Sequence, residues 1–366
     1  MLSRCGFTVH PALRPAAWIY GLGVRWRNWC FDRGLRKTYR IPTASICVGN
    51  LTVGGTGKTP HTEYLIRLLH KQWRVTVFSR GYRRKTCNNI TAQPGMTADD
   101  IGDEPWQMKH KYPDIGMTVC HRRAPAIQAA MQLPPDRRPQ TVILDDAFQH
   151  RQVSAGLNIL LTDYNRLICD DLLLPAGRMR EPFSGRKRAH IVIVTKCPDQ
   201  LSAPEQADIA QRLQLSPQQQ LFFTRQRYTD LRPVFDEGTH RSIPLDSLRD
   251  LPSVLLVTGI ATPQILARDF ARYNSRATLM GYADHHNFTP SDQRDINATF
   301  ARIRQKGSIL VTTEKDAARL RLCKQLDAEV HRSLYALPLE VEFLNNEGNK
   351  FNQTINDYVR KSQRNF

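Results

Sequence analysis

The stretch VGNLTVGGTGKTP, residues 48–60, decides which class of fold this chain adopts. It matches the pattern of a phosphate-binding loop except at the first glycine of that pattern, where Thr52 stands instead. Three glycines remain and allow backbone N–H groups to converge on an anion, while Lys58 adds an ammonium group and Thr59 a hydroxyl for a metal ion. The predicted nucleotide-binding residues are Thr52, Val53, Gly54, Gly55, Thr56, Gly57, Lys58 and Thr59.

The segments on either side of this loop have the character that a phosphate-binding loop requires. Residues 43–48, TASICV, are typical of a buried strand, and residues 61–71, HTEYLIRLLHK, place apolar side chains at helical spacing. A helix that starts at the loop adds its dipole to the anion site. An ordinary glycine-rich turn is the alternative, and the strand, loop and helix in this order favour the phosphate site.

The rest of the chain alternates strands with helices. Continuous apolar runs at residues 141–146, 157–163 and 190–196 are typical of strands that are covered on both faces of a parallel sheet. Residues 218–250 interrupt this rhythm as a linker or β-ribbon, and a second set of strands and helices follows. We predict an α/β fold: a doubly wound parallel sheet of the P-loop NTPase type, with a second, smaller α/β domain.

Composition indicates a globular protein with an anionic partner. The chain has 366 residues, enough for two domains, and a formal net charge of +18. Such a charge indicates nucleic acid, an anionic membrane face or a phosphorylated substrate. The eight cysteines include no C-x-x-C pair, so neither a zinc site nor a disulfide framework is expected.

The N-terminal segment predicts a membrane contact. Its apolar run, residues 15–24, is shorter than the ~20 residues that a bilayer span needs. Trp26, Trp29 and Phe31 then alternate with basic residues, as suits a headgroup boundary. A helix packed on the protein's own core is the alternative. We assign residues 1–40 to a membrane-associating helix region, 41–225 to the P-loop domain, and 226–366 to the smaller domain with its linker.

Acidic residues follow the apolar strands where an open sheet binds its ligands. Asp145 and Asp146 end the run at residues 141–146, the place where P-loop proteins put the acid that organises Mg²⁺. Asp103 and Glu104 lie in a turn that serves equally well as a helix N-cap. Residues 171–182, DLLLPAGRMREP, offer two arginines and a carboxylate that suit a phosphate and a metal.

Three further motifs come from the second half of the chain. Asp284, His285 and His286 precede a capped helix and suit a proton-handling or orienting role, since no third metal ligand lies at typical spacing. Residues 312–319, TTEKDAAR, indicate a capped helix start. Residues 195–199, TKCPD, resemble only weakly the guanine-reading motif of GTPases.

Taken in order, these motifs resemble those of the tetraacyldisaccharide 4'-kinase family, the lipid A 4'-kinases of Gram-negative bacteria. The resemblance covers about residues 10–320 and rests on LRPAAWIYGLGVRWRNWCFDRG, VGNLTVGGTGKTP, SRGYRR, GDEP, DDAFQHR, LPAGRMREP, DHHNFT and TTEKDAAR. The loop with Thr52 in place of the first glycine resembles the variant of the motif that this family has. The resemblance implies a peripheral enzyme on the cytoplasmic face of the inner membrane, with two α/β domains joined by a β-ribbon. It would use ATP and Mg²⁺ to phosphorylate the 4'-hydroxyl of a tetraacyldisaccharide 1-phosphate.

The resemblance also implies roles for individual residues. Asp103 would be the catalytic base with His285 as its partner and His286 as the alternative, and Lys58 would serve the transferred phosphate. The implied metal ligands are Thr59, Asp145 and Glu181. The implied substrate-binding residues are Arg80, Tyr82, Arg122, Gln149, His150 and Arg180.

Two other functions fit part of the sequence. A regulatory P-loop GTPase or partitioning ATPase would account for the loop and for TKCPD. A nucleic-acid-binding ATPase would account for the charge, but the basic residues are spread along the chain and no RNA or DNA module is recognisable. The expected partners are therefore the lipid substrate and an anionic membrane surface, with no nucleic acid and no stable protein partner implied.

Overall fold

A computed structural model describes residues 11–81, 84, 88–235 and 241–364. The strands are β1 (Tyr39–Arg40), β2 (Ala44–Asn50), β3 (Val75–Ser79), β4 (Ile90–Thr91), β5 (Gly116–Val119), β6 (Thr141–Asp145), β7 (Val153–Ser154), β8 (Leu157–Asp163), β9 (Ile191–Thr195), β10 (Gln220–Tyr228), β11 (Arg232–Pro233), β12 (Val254–Thr258), β13 (Thr278–Gly281), β14 (Ile309–Thr313), β15 (Leu334–Leu337) and β16 (Leu339–Phe343). The helices are α1 (Arg14–Asp32), α2 (Lys58–Leu69), α3 (Ala98–Ile101), α4 (Asp103–Lys111), α5 (Arg123–Met131), α6 (Ala203–Leu213), α7 (Pro263–Phe270), α8 (Pro290–Ile303), α9 (Glu314–Leu320), α10 (Ala328–Ser333) and α11 (Gly348–Arg364).

The main sheet has nine strands in the order β16-β10-β9-β8-β2-β6-β3-β5-β4. Every pair is parallel except the two at the edges, where β16 and β4 run antiparallel to their neighbours. Helices α2, α4 and α11 cover one face of this sheet, and α5 and α6 cover the other. Strand β2 lies in the middle and is buried along its whole length, as its apolar sequence predicts. The predicted doubly wound fold is confirmed.

A second sheet of five strands has the order β11-β15-β14-β12-β13. Four of these strands are parallel, and only the two-residue β11 is antiparallel. Helices α8, α9 and α10 pack on one face and α7 on the other. This sheet is the predicted smaller α/β unit.

The two sheets are joined by an antiparallel ribbon whose strands are β10 and β16, paired from Thr224 with Phe343 to Tyr228 with Leu339. Residues 333–343 look like one strand in sequence, but β15 and β16 lie in different sheets on either side of Pro338. The sequence-based division placed residues 226–366 together, whereas β16 and α11 pack in the core of the main sheet. Apolar pattern alone cannot show which sheet a strand joins, because that depends on its pairing partner.

A buried carboxylate fixes α9 to the second sheet. Asp316 is 1% exposed, and its Oδ2 accepts hydrogen bonds from the Thr258 hydroxyl (2.9 Å), the Gly259 N–H (3.0 Å) and the Thr313 hydroxyl (2.7 Å). These bonds connect the end of β12 to the first turn of α9. The carboxylate therefore sets where the helix lies.

Replacing Asp316 with alanine is expected to lower the free energy of unfolding by about 3 kcal/mol, because three donors would be left without an acceptor in the interior. Urea unfolding measures the change. Asp250→Ala, at an exposed position of the same unit, is the matched control and should be nearly neutral. Equal stability of the two variants would show that these hydrogen bonds contribute little.

Candidate active site

The phosphate-binding loop, residues 52–59, leads from the end of β2 into α2. Gly57 adopts φ +80°, and α2 begins directly after it at Lys58, three residues before the start predicted at 61. Only glycine takes this backbone conformation without strain. Lys58 and Thr59 therefore lie in the first helical turn, where backbone N–H groups have no partner within the helix and can bind an anion.

The opening of the loop is fixed by a neighbouring segment instead of by a glycine. Thr52 is buried and forms an antiparallel bridge with Met179. The next residue, Val53, donates its N–H to the Arg178 carbonyl at 2.7 Å. Thr52 is not among the residues with positive φ. Its extended backbone needs no glycine, so the departure from the usual pattern does not prevent a phosphate site.

Two aspartates at the end of β6 lie beside this loop. Asp145 is buried and accepts hydrogen bonds from the hydroxyls of Ser79 (2.9 Å) and Thr62 (3.3 Å). Burial, then the neighbouring carboxylates Glu104 and Asp146, raise the pKa of Asp145 to about 6. Carboxylates crowded in this way favour a cation among them.

Asp146 has a different electrostatic environment. Its backbone is left-handed, with φ +45°, a conformation that costs free energy in a residue other than glycine and is common at functional sites. Burial alone would raise the pKa of Asp146, but Lys58, Arg180 and Arg123 together hold it below its usual value. The Lys58 ammonium lies 3.9 Å from its carboxylate, and the Arg180 guanidinium lies 3.4 Å away. The loop lysine and the strand-end acid thus meet in one site.

The predicted metal ligands fall into two groups. Asp145 lies at the loop, and Thr59 carries its hydroxyl in the first turn of α2. Glu181 is instead fully buried against arginines, 2.6 Å from Arg188 and 3.6 Å from Arg27. Its charge is balanced by these cations, so we leave Glu181 out of the proposed metal set. In the described part of the chain, no three His, Cys, Asp or Glu side chains form a group that could hold a metal ion.

We expect Asp145→Asn to raise the free energy of unfolding at pH 7.5 by about 1–3 kcal/mol, measured with nucleotide and divalent cations removed. In the unfolded chain the pKa of an aspartate is about 3.9. Between about pH 4 and pH 6, the folded protein therefore binds more protons than the unfolded chain, and its stability falls as the pH rises. Asparagine cannot ionise and avoids this loss. The free energies of unfolding of the variant and the native protein should therefore become equal below about pH 4. Asp136→Asn, at an exposed site, is the control. A variant no more stable than the native protein at pH 7.5 would contradict the interpretation.

The predicted substrate-binding residues that the structure describes follow the carboxyl ends of the strands of the main sheet or lie beside Asp146. Gln149 donates its side-chain amide to the Asn50 carbonyl, next to the loop. Burial, followed by the charges of Arg123, Arg27 and Arg80, lowers the pKa of His150 to about 4. Arg80 and Arg122 are exposed, and Tyr82 lies outside the described residues. The cationic groups around His150 form a surface suited to anions.

Sequence reasoning missed the part that α1 plays here. The Arg27 guanidinium donates to the Gln149 carbonyl at 2.6 Å, and the Tyr20 hydroxyl donates to the Arg180 carbonyl at 2.9 Å. Only contacts between distant segments could show this. Arg123 was missed for the same reason: it is buried and donates to the Asp145 carbonyl at 2.5 Å.

The weak motif TKCPD also lies at the loop. Lys196 has φ +57°, and its ammonium bonds to the Gly55 carbonyl at 2.5 Å and to Asp163 at 2.8 Å. The lysine therefore supports the loop backbone. A role in reading a guanine base receives no support from these contacts.

The second sheet contributes a histidine to this edge. The Nδ1 atom of His285 lies 3.0 Å from Oδ2 of Asp103, although the residues are 182 positions apart. Asp103 is the first residue of α4, after Gly102 at φ +93°, and His285 has φ +58°. His286 bonds instead to Asp292, a capping residue of α8, at 2.9 Å. Of the two candidate histidines, His285 is the one beside Asp103.

Comparison with known proteins agrees with this geometry. A family model described as tetraacyldisaccharide-1-P 4'-kinase matches residues 9–360. The chain belongs to this family. The match extends the resemblance seen in the sequence, about residues 10–320, through β16 and most of α11. Kinase activity toward a lipid A precursor is thus the activity of the family to which the chain belongs.

Individual relatives cover nearly the whole chain. It is 47% identical to the tetraacyldisaccharide 4'-kinase of Phocaeicola vulgatus over 96% of each chain, and 47% identical to that of Bacteroides fragilis over 98% of this chain and 95% of the relative. A crystal structure of LpxK from Aquifex aeolicus in complex with ATP superposes with a TM-score of 0.72 at 25% identity, covering 95% of this chain and 98% of that one. The P-loop kinase fold of this family member is therefore established.

Proposed function

We propose that this protein transfers the γ-phosphate of ATP to the 4'-hydroxyl of tetraacyldisaccharide 1-phosphate. Membership of the 4'-kinase family supports the reaction. The observation that carries it is the Asp103–His285 pair, because Glu104, the residue next to Asp103, is close enough to Asp145 to raise its pKa. A kinase needs a group that accepts the proton of the acceptor hydroxyl, whereas a regulatory NTPase needs only to position water.

Each group in the site has a task in this reaction. Lys58 and the N–H groups at the start of α2 bind the β- and γ-phosphates of the substrate ATP. Thr59 and Asp145 would hold Mg²⁺, which supplies charge neutralisation on phosphate oxygens when bound. Asp103 accepts the proton of the 4'-hydroxyl, and His285 orients the Asp103 carboxylate. The proposed head-group ligands are Arg80, Arg122, Gln149, His150 and Arg180, and Tyr82 stays a prediction outside the described residues.

One assay tests this function. Protein, Mg²⁺, γ-labelled ATP and tetraacyldisaccharide 1-phosphate are mixed in detergent micelles, and label is followed into the lipid fraction. We expect labelled lipid only when the acceptor carries a free 4'-hydroxyl, and an acceptor with a blocked 4'-hydroxyl is the matched control. Rapid release of labelled phosphate without any acceptor, and no labelled lipid, would favour a regulatory NTPase instead.

We further propose that α1 docks the enzyme on the cytoplasmic face of the inner membrane. No helix in the described part of the chain is long and apolar enough to cross a bilayer. Helix α1 buries only a narrow edge, at Ala17, Gly21, Cys30 and Phe31. The large apolar side chains that it leaves exposed are Trp18, Ile19, Leu22, Trp26 and Trp29. Exposed basic residues lie in α1 and directly after it: Arg14, Arg25, Arg33, Arg36 and Lys37. Aromatic rings with cations beside them suit an anionic lipid surface.

Trp26→Ala is expected to weaken binding to anionic vesicles about tenfold, because the residue is 65% exposed and has apolar area to bury in the interface. Vesicle co-sedimentation at low salt measures the change, and high salt should weaken binding of the native protein as well. Leu322→Ala removes an exposed apolar side chain from the smaller unit and serves as the control. Equal binding of both variants, or equal binding to neutral and anionic vesicles at every salt concentration, would refute the docking role of α1.

A further inference from the structure

The motif TKCPD, residues 195–199, begins at the end of β9, beside the phosphate-binding loop. Thr195 is the last residue of β9 and is 0% exposed, and Lys196 follows it with φ +57°. A left-handed backbone costs free energy in a residue other than glycine and persists only where the surrounding structure holds it. Both side chains reach the backbone of the loop, and the atoms that they contact indicate what they do.

Three successive carbonyl groups of the loop accept hydrogen bonds. The Lys196 ammonium donates to the Gly55 carbonyl, and the Thr195 hydroxyl donates to the Thr56 carbonyl at 3.0 Å. The Gly57 carbonyl accepts the first backbone hydrogen bond of α2. The helix therefore accounts for Gly57, whereas the two carbonyls before it depend on side chains from the end of β9.

The hydroxyl of Thr195 has two carbonyl oxygens within reach, that of Thr56 at 3.0 Å and that of Thr162 at 3.3 Å. A hydroxyl carries one proton to donate, and the shorter of the two contacts is the one to the loop. Thr195 and Thr56 are both buried. Loss of this bond would leave a polar group without a partner in the interior, so the contact is expected to hold the loop firmly.

The direction of these carbonyls determines where the N–H groups of the loop point. The peptide bonds of the loop are trans, and in a trans peptide group the C=O and the N–H point in opposite directions. The Thr56 carbonyl points toward the buried Thr195, so the Gly57 N–H of the same peptide group points away from the interior. That N–H lies at the start of α2, where a phosphate group would bind.

The glycines of the loop make this orientation easy to lose. Gly54 has φ +105° and Gly57 has φ +80°, and without a Cβ atom such residues can rotate their peptide groups at little steric cost. A rotated peptide group would present its carbonyl oxygen to the phosphate, so that repulsion would replace attraction. A donor on each carbonyl opposes the rotation, because the hydrogen bond would have to break.

Lys196 is itself anchored to the main sheet. Its ammonium bonds to Oδ2 of Asp163, at the end of β8, at 2.8 Å. An ammonium group has three donor positions, so it can bond to the Gly55 carbonyl and to this carboxylate at the same time. The loop is thus connected through Lys196 to the ends of two neighbouring strands, β8 and β9.

We propose that Thr195 and Lys196 are positioning residues for ATP: their side chains hold the Thr56 and Gly55 carbonyls on the inner side of the loop, so that the loop presents N–H groups to the phosphates. This inference rests on the proposed function of the loop as the ATP site, and it does not depend on which group accepts the proton of the acceptor hydroxyl. Contact of the two side chains with the nucleotide base is the competing role, and the test distinguishes it.

Calorimetry without the lipid acceptor measures the first effect. Thr195→Val keeps the shape of the side chain and removes the hydroxyl, and Lys196→Met keeps the stem and removes the ammonium. Each should weaken binding of ATP with Mg²⁺ about 10-fold. Thr278→Val, at an exposed strand position, and Lys324→Met, at another exposed position, are the matched controls and should bind ATP like the native protein. Native affinity in Thr195→Val or in Lys196→Met would overturn the role of that residue.

Tripolyphosphate, which has the phosphate chain without the base, identifies the part of the nucleotide that is affected. Its affinity is measured by competition with ATP in the native protein and in both variants. If the loop has lost its orientation, tripolyphosphate and ATP should lose affinity by the same factor. If ATP binds more weakly and tripolyphosphate binds as before, the side chains act on the base and the proposal is wrong.

Kinetics and conservative variants separate positioning from folding. The KM for ATP of Thr195→Val and Lys196→Met should rise about 10-fold, while kcat at saturating ATP stays within about threefold of the native value. Thr195→Ser retains the hydroxyl and should recover most of the ATP affinity. A loss of kcat with an unchanged KM for ATP, or no recovery in Thr195→Ser, would overturn the proposal. If Thr195→Val does not fold, Lys196→Met decides, since the Lys196 side chain is 33% exposed and its loss should be tolerated.

Failure of the proposed function would look different. If the native protein binds ATP and tripolyphosphate but forms no labelled lipid, the proposed reaction is wrong, and weaker binding in the two variants would still support their positioning role. If lipid is labelled and both variants bind ATP like the native protein, the reaction stands and the positioning role is wrong.

Discussion

Lys58→Ala is expected to lower phosphoryl transfer by about 10³- to 10⁵-fold while the protein stays folded. Lys58 is the cation of the phosphate-binding loop, in the first turn of α2 and 3.9 Å from Asp146. Its ammonium would stabilise the charge that develops on the transferred phosphate. Labelled-lipid formation in detergent measures the loss.

The fold should tolerate this change, because Asp146 keeps Arg180 and Arg123 as neighbouring charges when Lys58 is removed. Lys71→Ala, an exposed lysine just beyond the end of α2, is the matched control and should retain full activity. Far-UV circular dichroism and the unfolding midpoint establish that both variants are folded. A folded Lys58→Ala protein with most of its activity would rule out the phosphate role of the loop.

Loss of the proposed base should have the second largest effect. Asp103→Ala and His285→Ala should each lower kcat by about 10²- to 10⁴-fold, the usual contribution of general-base catalysis, with ATP binding little changed. Asp103→Asn is also needed, because it keeps an oxygen for Arg319, whereas alanine leaves that buried guanidinium without its partner. ATP binding is measured separately by calorimetry.

A double-variant cycle asks whether the two residues act as one unit. If they do, the Asp103→Asn, His285→Ala protein should lose hardly more activity than the worse single variant. Fully multiplicative losses would refute the pair. His286→Ala is the internal control, since His286 bonds to Asp292 at the cap of α8 and should affect kcat only a few-fold. Native activity in Asp103→Asn would instead favour Asp145 or Asp146 as the catalytic base.

Much of the site could be predicted because its signals are local. The glycine-rich loop between a buried strand and an amphipathic helix, and the aspartates at the end of β6, depend on residues that are close in sequence. The helix caps at Thr289 and Thr313 are local in the same way. Such features require only short-range hydrogen bonds and the periodic burial of apolar side chains, so the pattern of residue types is sufficient to indicate them.

Other features of the structure depend on distant segments, and the sequence could not indicate them. Glu181 looks like a metal ligand beside its arginines in sequence, but Arg27 and Arg188 reach it from other elements and balance its charge. Residues 339–364 follow the smaller unit in sequence, yet β16 pairs with β10 and returns the chain to the main sheet. Neither outcome is encoded in the local pattern, because each is decided by which surfaces pack together.

By itself, the sequence determined the doubly wound α/β class, the phosphate-binding loop and, through its motifs, the kinase family. Only the tertiary structure decided that His285 and not His286 meets Asp103, and that Lys315 and Arg319 reach the same pair. The physical reason is that α4, beside the main sheet, packs against α9 and the loop before α8 of the smaller unit, so side chains 182 and 216 positions apart come within hydrogen-bond distance. The spacing of residues along the chain is sufficient to indicate a helix or a loop. Contacts between side chains from the two units form only when both sheets have folded and packed together.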